Sequence, residues 1–246
     1  ARGLFTVLQN LPLSWALRLG RAIGSIAYQI MGKRRTTVEN NLKVIQAWYQ
    51  NQEQNGLAPC KTIPELEAPI PTQAKEIFKR AGANLFAGFP LTKMNSEVLK
   101  NHIELEGLEE LQESLRAGRG AVILLAHMGP WETLTQLPRM LRASGVEIEI
   151  GTLYRAFNNP YLEPWYASIR KSGGVHLFSS RYKFYAPVDF VRNGGALGVL
   201  SDQRASGGET ARFFGQWTRS TPLPGLIHLR TKAPVFSLSI TTTDAE

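Results

Sequence analysis

The chain has 246 residues, 43% of them hydrophobic, and its 28 Lys and Arg against 20 Asp and Glu give a net charge of +8. That is enough apolar material for one large domain, or one domain with an appendage, and the cationic excess suits either a solubilising surface or an anionic partner. A single cysteine, Cys60, and four scattered histidines exclude a disulfide framework and a paired-ligand zinc site, and dispersed basic residues without aromatic interleaving argue against nucleic acid.

The first thirty residues are apolar but interrupted by Arg2, Arg18 and Arg21, so no uncharged stretch reaches the ~18 residues of a spanning helix. From Leu13 the spacing is helical. Leu13, Ala16, Leu17, Gly20, Ile23, Gly24, Ala27 and Ile30 share a broad face, with a narrow polar stripe opposite. Two explanations compete: a helix in the membrane interface with arginines at the headgroups, or a core helix. The narrow stripe and the adjacent Lys33-Arg34-Arg35 favour the membrane. Helix continues over 36–50, an exposed polar loop is expected over 51–72, and helices follow over 74–89 and 104–117.

From Ala121 onward, strands and helices alternate. Strands are expected at 121–126, 146–152, 175–178, 195–201 and 235–241, with helices at 131–144, 160–172, 185–193 and near 223–232. Such alternation predicts an α/β fold: a mostly parallel sheet flanked by helices.

The chemistry concentrates at strand ends. His127-Met128-Gly129-Pro130-Trp131-Glu132 puts an imidazole and a carboxylate five positions apart, between the apolar run Ala121–Ala126 and the next helix. Pro130 suits a first helical turn and Gly129 a tight approach. Ligands of α/β sheets sit at the carboxyl ends of the strands. An imidazole there, with a carboxylate to orient it, is equipped to take a proton from an alcohol; a strand-end histidine beside a solvated glutamate is the plainer alternative.

Three further clusters fall at later strand ends. Tyr154-Arg155 with Asn159-Pro160 would present a guanidinium fork suited to a phosphate or carboxylate, or else an ordinary loop arginine. Asp202, followed by Gln203, would pair with Arg155 or hold a loop by accepting backbone hydrogen bonds. Phe213 and Phe214 would line an apolar channel or pack in the core. Arg181 adds a cation after the third strand.

In this order and spacing, the set resembles the lysophospholipid acyltransferase superfamily, and within it the late acyltransferases of bacterial lipid A biosynthesis. Arg34-Arg35 with Asn40-Asn41-Leu42 is similar to the region after their membrane anchor. The resemblance implies transfer of an acyl chain from acyl carrier protein or coenzyme A to a glycolipid hydroxyl at the cytoplasmic face of the inner membrane. It makes His127 the general base and Glu132 its acidic partner in an HX4D/E motif. Arg155 then serves phosphate or oxyanion stabilisation, and Asn159, Arg181, Asp202, Gln203, Phe213 and Phe214 bind substrate. No metal or bound cofactor is implied, only the thioester as co-substrate. The expected partners are acyl-acyl carrier protein or acyl-coenzyme A, a glycolipid and an anionic membrane surface, but no nucleic acid. The acceptor stays open between a lipid A precursor and a phosphatidylinositol mannoside or other lysolipid, because mycobacterial acyltransferases share the motifs. A non-catalytic lipid-binding relative is the remaining alternative. Residues 1–35 are expected to associate with the membrane and residues 36–246 to form the acyltransferase α/β domain, part of it lying C-terminal to Glu246.

Overall fold

The computed structural model describes residues 2–55, 67–154, 163–179 and 185–242. Contacts divide the chain into two compact units: residues 1–89 with 210–219, and residues 90–209 with 220–246. This division follows packing, whereas the boundary read from sequence at residue 35 follows expected membrane association.

In the second unit, β1 (Ala121–Leu125), β2 (Ile150–Tyr154), β3 (His176–Ser179), β4 (Ala196–Leu200) and β7 (Val235–Leu238) form one parallel sheet in the order β3-β2-β4-β1-β7. The α/β class expected from the sequence is the one observed. Strands covered on both faces read as continuous apolar runs. In β1 the first three residues are buried, and in β4 the first four. Ala121, Ile123, Ile150 and Ala196 pack against Leu111 of α6 (Glu109–Arg116) and Leu137 and Leu141 of α7 (Leu137–Arg142). Val122, Leu197 and Val199 face the other layer, meeting Val188 and Val191 of α9 (Tyr185–Arg192) and Ile227 of α10 (Leu223–Thr231). Helix α8 (Glu163–Ser172) precedes β3, and α5 (Ser96–Lys100) is a short turn capped by the Asn95 side chain.

Two elements depart from expectation for local reasons. The helix anticipated over 131–144 begins as a 3-10 segment, Trp131–Gln136, and becomes α-helical only at Leu137. Pro138 has no N–H to donate back to Leu134, so an α-helix cannot run through it unbroken; it sits instead in the first turn of α7. The helix expected over 104–117 shortens to Glu109–Arg116, after Gly107 in the left-handed region.

The first unit contains α1 (Arg2–Gln9), α2 (Leu13–Ile30), α3 (Gly32–Gln54), most of α4 (Ile70–Lys93) and most of a hairpin, β5 (Glu209–Phe213) and β6 (Gln216–Ser220). The loop expected over 51–72 is therefore shorter, since α3 extends to Gln54 and α4 starts at Ile70; residues 56–66 lie outside the described ones. The hairpin was not anticipated. It turns on Phe214 and Gly215 alone, both at positive φ, the pattern that suits a two-residue connection.

The broad apolar face of α2 is also revised. Its buried residues are Ala16, Gly20 and Gly24. A Cβ on Gly20 or Gly24 would run into the α4 backbone at Gly82–Ala83 or Phe78–Lys79, so the small residues set a close helix crossing. Ile23 and Ile30 point away from it, and together with Trp15, Leu19 and Ile26 they form an exposed stripe, from 39% exposed at Ile23 to 76% at Ile30. Arg21 of α2 donates to Glu76 of α4 at 2.8 Å.

Partial burial works against ionisation of Glu76, but the hydrogen bond and charge of Arg21, with Lys79, outweigh it and hold the carboxyl below its ordinary range. A lowered folded-state value contributes stability above the unfolded value, and that stability is lost as pH falls through the folded value. Unfolding midpoints measured on acidification below about pH 4.5 should therefore fall more steeply in the wild type than in Glu76→Gln.

Candidate active site

Parallel register builds the site. Leu125 of β1 lies opposite Leu200 of β4, and the Ser201 N–H extends that pairing by donating to the Leu125 carbonyl at 3.1 Å. His127 and Asp202 each stand two residues beyond the Leu pair, so the ladder itself brings them together. The Asp202 carboxylate takes both polar groups that His127 offers it: the backbone N–H donates to Oδ2 at 2.9 Å, and Nδ1 lies 2.7 Å from Oδ1. An ionised carboxylate can only accept, so Nδ1 carries the proton and the neutral ring keeps its lone pair on Nε2. Trp131 stands edge-on to the imidazole at 5.0 Å between centroids. Gly129, at φ +55°, approaches the Ile240 carbonyl so closely that no side chain fits, and this turn leads the chain from His127 into the 3-10 segment.

Glu132 has another partner. Its carboxylate receives two hydrogen bonds from Arg170 of α8, 2.6 Å from Nη2 and 3.1 Å from Nε, and both side chains are largely buried at 15% and 11% exposure. The hydrogen-bonded pair expected from the sequence, His127 with Glu132, is thus replaced by His127 with Asp202. The physical reason is register: the β4 ladder delivers Asp202 to Nδ1, while Glu132 turns toward α8. Of the two roles open to Asp202 in the sequence, pairing with Arg155 falls outside the described residues, and acceptance of a backbone hydrogen bond is seen, from His127 itself. Arg170 carried no signal in the sequence beyond that of a basic residue in the last turn of a helix.

Beneath His127 lies an apolar cavity of about 240 Å³ within the second unit. Ile123, Leu125, Leu134, Leu137, Ile150, Leu153, Val175, Leu200 and Leu238 supply most of its wall, with His127, Trp131, Glu132 and Arg170 contributing polar or aromatic edges. Gln203 is exposed beside Asp202 and does not line the cavity. Phe213 and Phe214 belong to the first unit: Phe213 is 66% exposed, and the Phe214 ring packs at 5.3 Å on Trp48 of α3. They are not among the residues lining the cavity, so the channel expected of them does not include it. Arg155, Asn159 and Arg181 lie outside the described residues. Among the described residues, no three His, Cys, Asp or Glu side chains converge as a metal site requires.

A histidine locked in one tautomer over an apolar slot, at the carboxyl edge of a parallel sheet, can deprotonate a hydroxyl beside a hydrocarbon chain. The family model for bacterial lipid A biosynthesis acyltransferases matches residues 65–245, about three quarters of the chain and all of the sheet. The chain belongs to that family and is an acyltransferase. No individual curated protein matches it.

Proposed function

We propose that this protein moves a fatty acyl chain from an acyl thioester, carried by acyl carrier protein or coenzyme A, to a hydroxyl of a glycolipid of the lipid A type. The observation that carries the proposal is the His127–Asp202 pair above the apolar cavity. In this reading the acyl chain lies in the cavity with its carbonyl near Nε2. His127 takes the proton of the acceptor hydroxyl as that oxygen bonds to the carbonyl carbon. The C–S bond then breaks, and the departing thiolate recovers the proton from the imidazolium, which Asp202 steadies meanwhile. The hydroxyl belongs to the substrate, so no covalent acyl-enzyme forms and no bound cofactor takes part. Glu132 and Arg170 fix the wall next to the reacting atoms. Arg155, Asn159, Arg181 and Gln203 are assigned to the acceptor's polar groups. Phe213 and Phe214 are assigned to the lipid portion of a substrate.

The test is acyl transfer by the purified chain from acyl-acyl carrier protein and acyl-coenzyme A to a lipid A precursor, followed by mass spectrometry. The expected product carries one additional ester-linked chain. Transfer only to a mannosylated inositol lipid would replace the acceptor, and absence of transfer to any lipid hydroxyl would overturn the proposal.

The same reading puts the protein on the cytoplasmic face of the bacterial inner membrane. Among the described residues, no helix is long and apolar enough to cross a membrane. Helix α2 instead presents Trp15, Leu19, Ile23, Ile26 and Ile30 outward, close in sequence to Lys33, Arg34 and Arg35, which suits a helix lying in an anionic interface. Partition onto vesicles containing anionic lipid should fall by about tenfold for each of Ile23→Glu and Ile26→Glu, as expected from losing the burial of one large aliphatic side chain. Unchanged vesicle sedimentation would remove α2 from the membrane contact.

A further inference from the structure

The cavity beside His127 runs along the sheet. Ile123 and Leu125 of β1, with His127 two residues beyond its end, line it at alternate positions, and Gly198 and Leu200 of β4 do the same. Register sets Ile123, Gly198 and Thr152 side by side in one row across three strands. That row lies four residues below His127, about 13 Å at the usual rise of a strand. The Thr152 hydroxyl is engaged with backbone, donating to the Gly198 carbonyl at 3.2 Å, so the centre of the row is a glycine surface between Ile123 and Thr152.

Backbone conformation does not require a glycine here, and packing asks for it only through one movable side chain. Gly198 is not at positive φ, and a strand interior ordinarily disfavours glycine relative to alanine. A Cβ at this position would press only on Cδ1 of Leu125, at 2.9 Å, a flexible terminus that itself lines the cavity. Gly151, which also borders the cavity, is different: its Cβ would strike the Phe178 and Phe190 rings at 2.7 and 2.9 Å, so packing behind the sheet requires that glycine. The missing side chain at Gly198 leaves room for Leu125 beside it and lets the backbone itself border the cavity.

Building on the proposed acyltransferase activity, we infer that Gly198 is a specificity-determining residue that sets the longest acyl chain the site accepts. A chain entering beside His127 runs down the sheet past Leu125 and crosses the Ile123–Gly198–Thr152 row toward Ile150. A side chain at residue 198 displaces the Leu125 side chain and closes the passage at that row, while His127 and Asp202 keep their places.

Two variants of the full chain, Gly198→Ala and Gly198→Leu, test the inference against a series of saturated acyl thioesters increasing by two methylenes. Calorimetric binding of the matching free fatty acids is measured in parallel. Gly198→Leu should move both the rate optimum and the binding optimum to a shorter chain. Each excluded pair of methylenes should cost about tenfold or somewhat more, with the shortest donors losing least. Gly198→Ala, which needs only Leu125 to yield, should shift both in the same direction by less. Unchanged optima in both variants, or a uniform loss at every length in folded Gly198→Ala, would overturn the inference. A wild type that transfers no chain while its fatty-acid length limit still moves with residue 198 would refute the acyltransferase reading and leave the cavity assignment standing. A binding limit that does not move refutes the assignment whatever the activity.

Discussion

His127→Ala should lower kcat for acyl transfer by about 10²–10⁴-fold with little change in KM, because a positioned general base contributes about that much and touches only the proton in flight. Asp202→Asn should lower kcat by about 10²–10⁴-fold. The amide offers the imidazole a donor where the carboxylate offered only acceptors. The ring can then turn its lone pair toward residue 202 and present a proton where the base should be. The 2.9 Å hydrogen bond from the His127 backbone to residue 202 survives in an asparagine that points its oxygen inward, so the loop need not collapse. Steady-state kinetics on both variants, with circular dichroism to establish folding, check the prediction. A wild-type rate in Asp202→Asn would mean that the 2.7 Å contact with Nδ1 does not serve the reaction.

Glu132→Ala should act first on stability. The carboxylate holds Arg170 through two hydrogen bonds, and both side chains are largely withdrawn from water. Losing both hydrogen bonds of a pair so withdrawn from water costs about 3 kcal/mol or more. For a chain of this size, that corresponds to a fall in Tm of roughly 6–12 °C. Glu132→Gln keeps the shape and one acceptor and should lose less. Thermal unfolding of the two variants beside Asp202→Asn separates the roles, because Asp202, with its side chain 35% exposed, should cost rate more than stability. A Glu132→Ala protein as stable as the wild type would show that Arg170 is satisfied without it.

The parts of the fold readable in the sequence are those with an unambiguous burial pattern. β1 and β4 are apolar at nearly every position because helices cover both faces, and a run such as Ala196–Leu200 has few other uses. His127 is readable for the same reason, since it ends such a run. Its carboxylate partner is not, because it lies 75 positions further along the chain and the choice between Glu132 and Asp202 depends on strand order and register. Nearness in sequence favoured Glu132, and the ladder favoured Asp202. The hairpin was hidden for the opposite reason: all five residues of β5 are exposed, so no inward alternation marks it, and Phe214-Gly215 is not one of the usual turn pairs. On α2 the apolar residues wrap most of the helix. Only the close approach of Gly20 and Gly24 to α4 shows which apolar face is buried and which large residues stay outside.

The proposed mechanism holds that Asp202 acts through His127, and a double-mutant cycle on acyl-transfer kcat tests this most directly. His127→Ala, Asp202→Asn and the double variant are compared with the wild type under saturating donor and acceptor. If the carboxylate works only by holding the imidazole, the double variant loses no more than His127→Ala alone. A double variant slower by the product of the two single losses, or a His127→Ala protein that retains the wild-type rate, would contradict it.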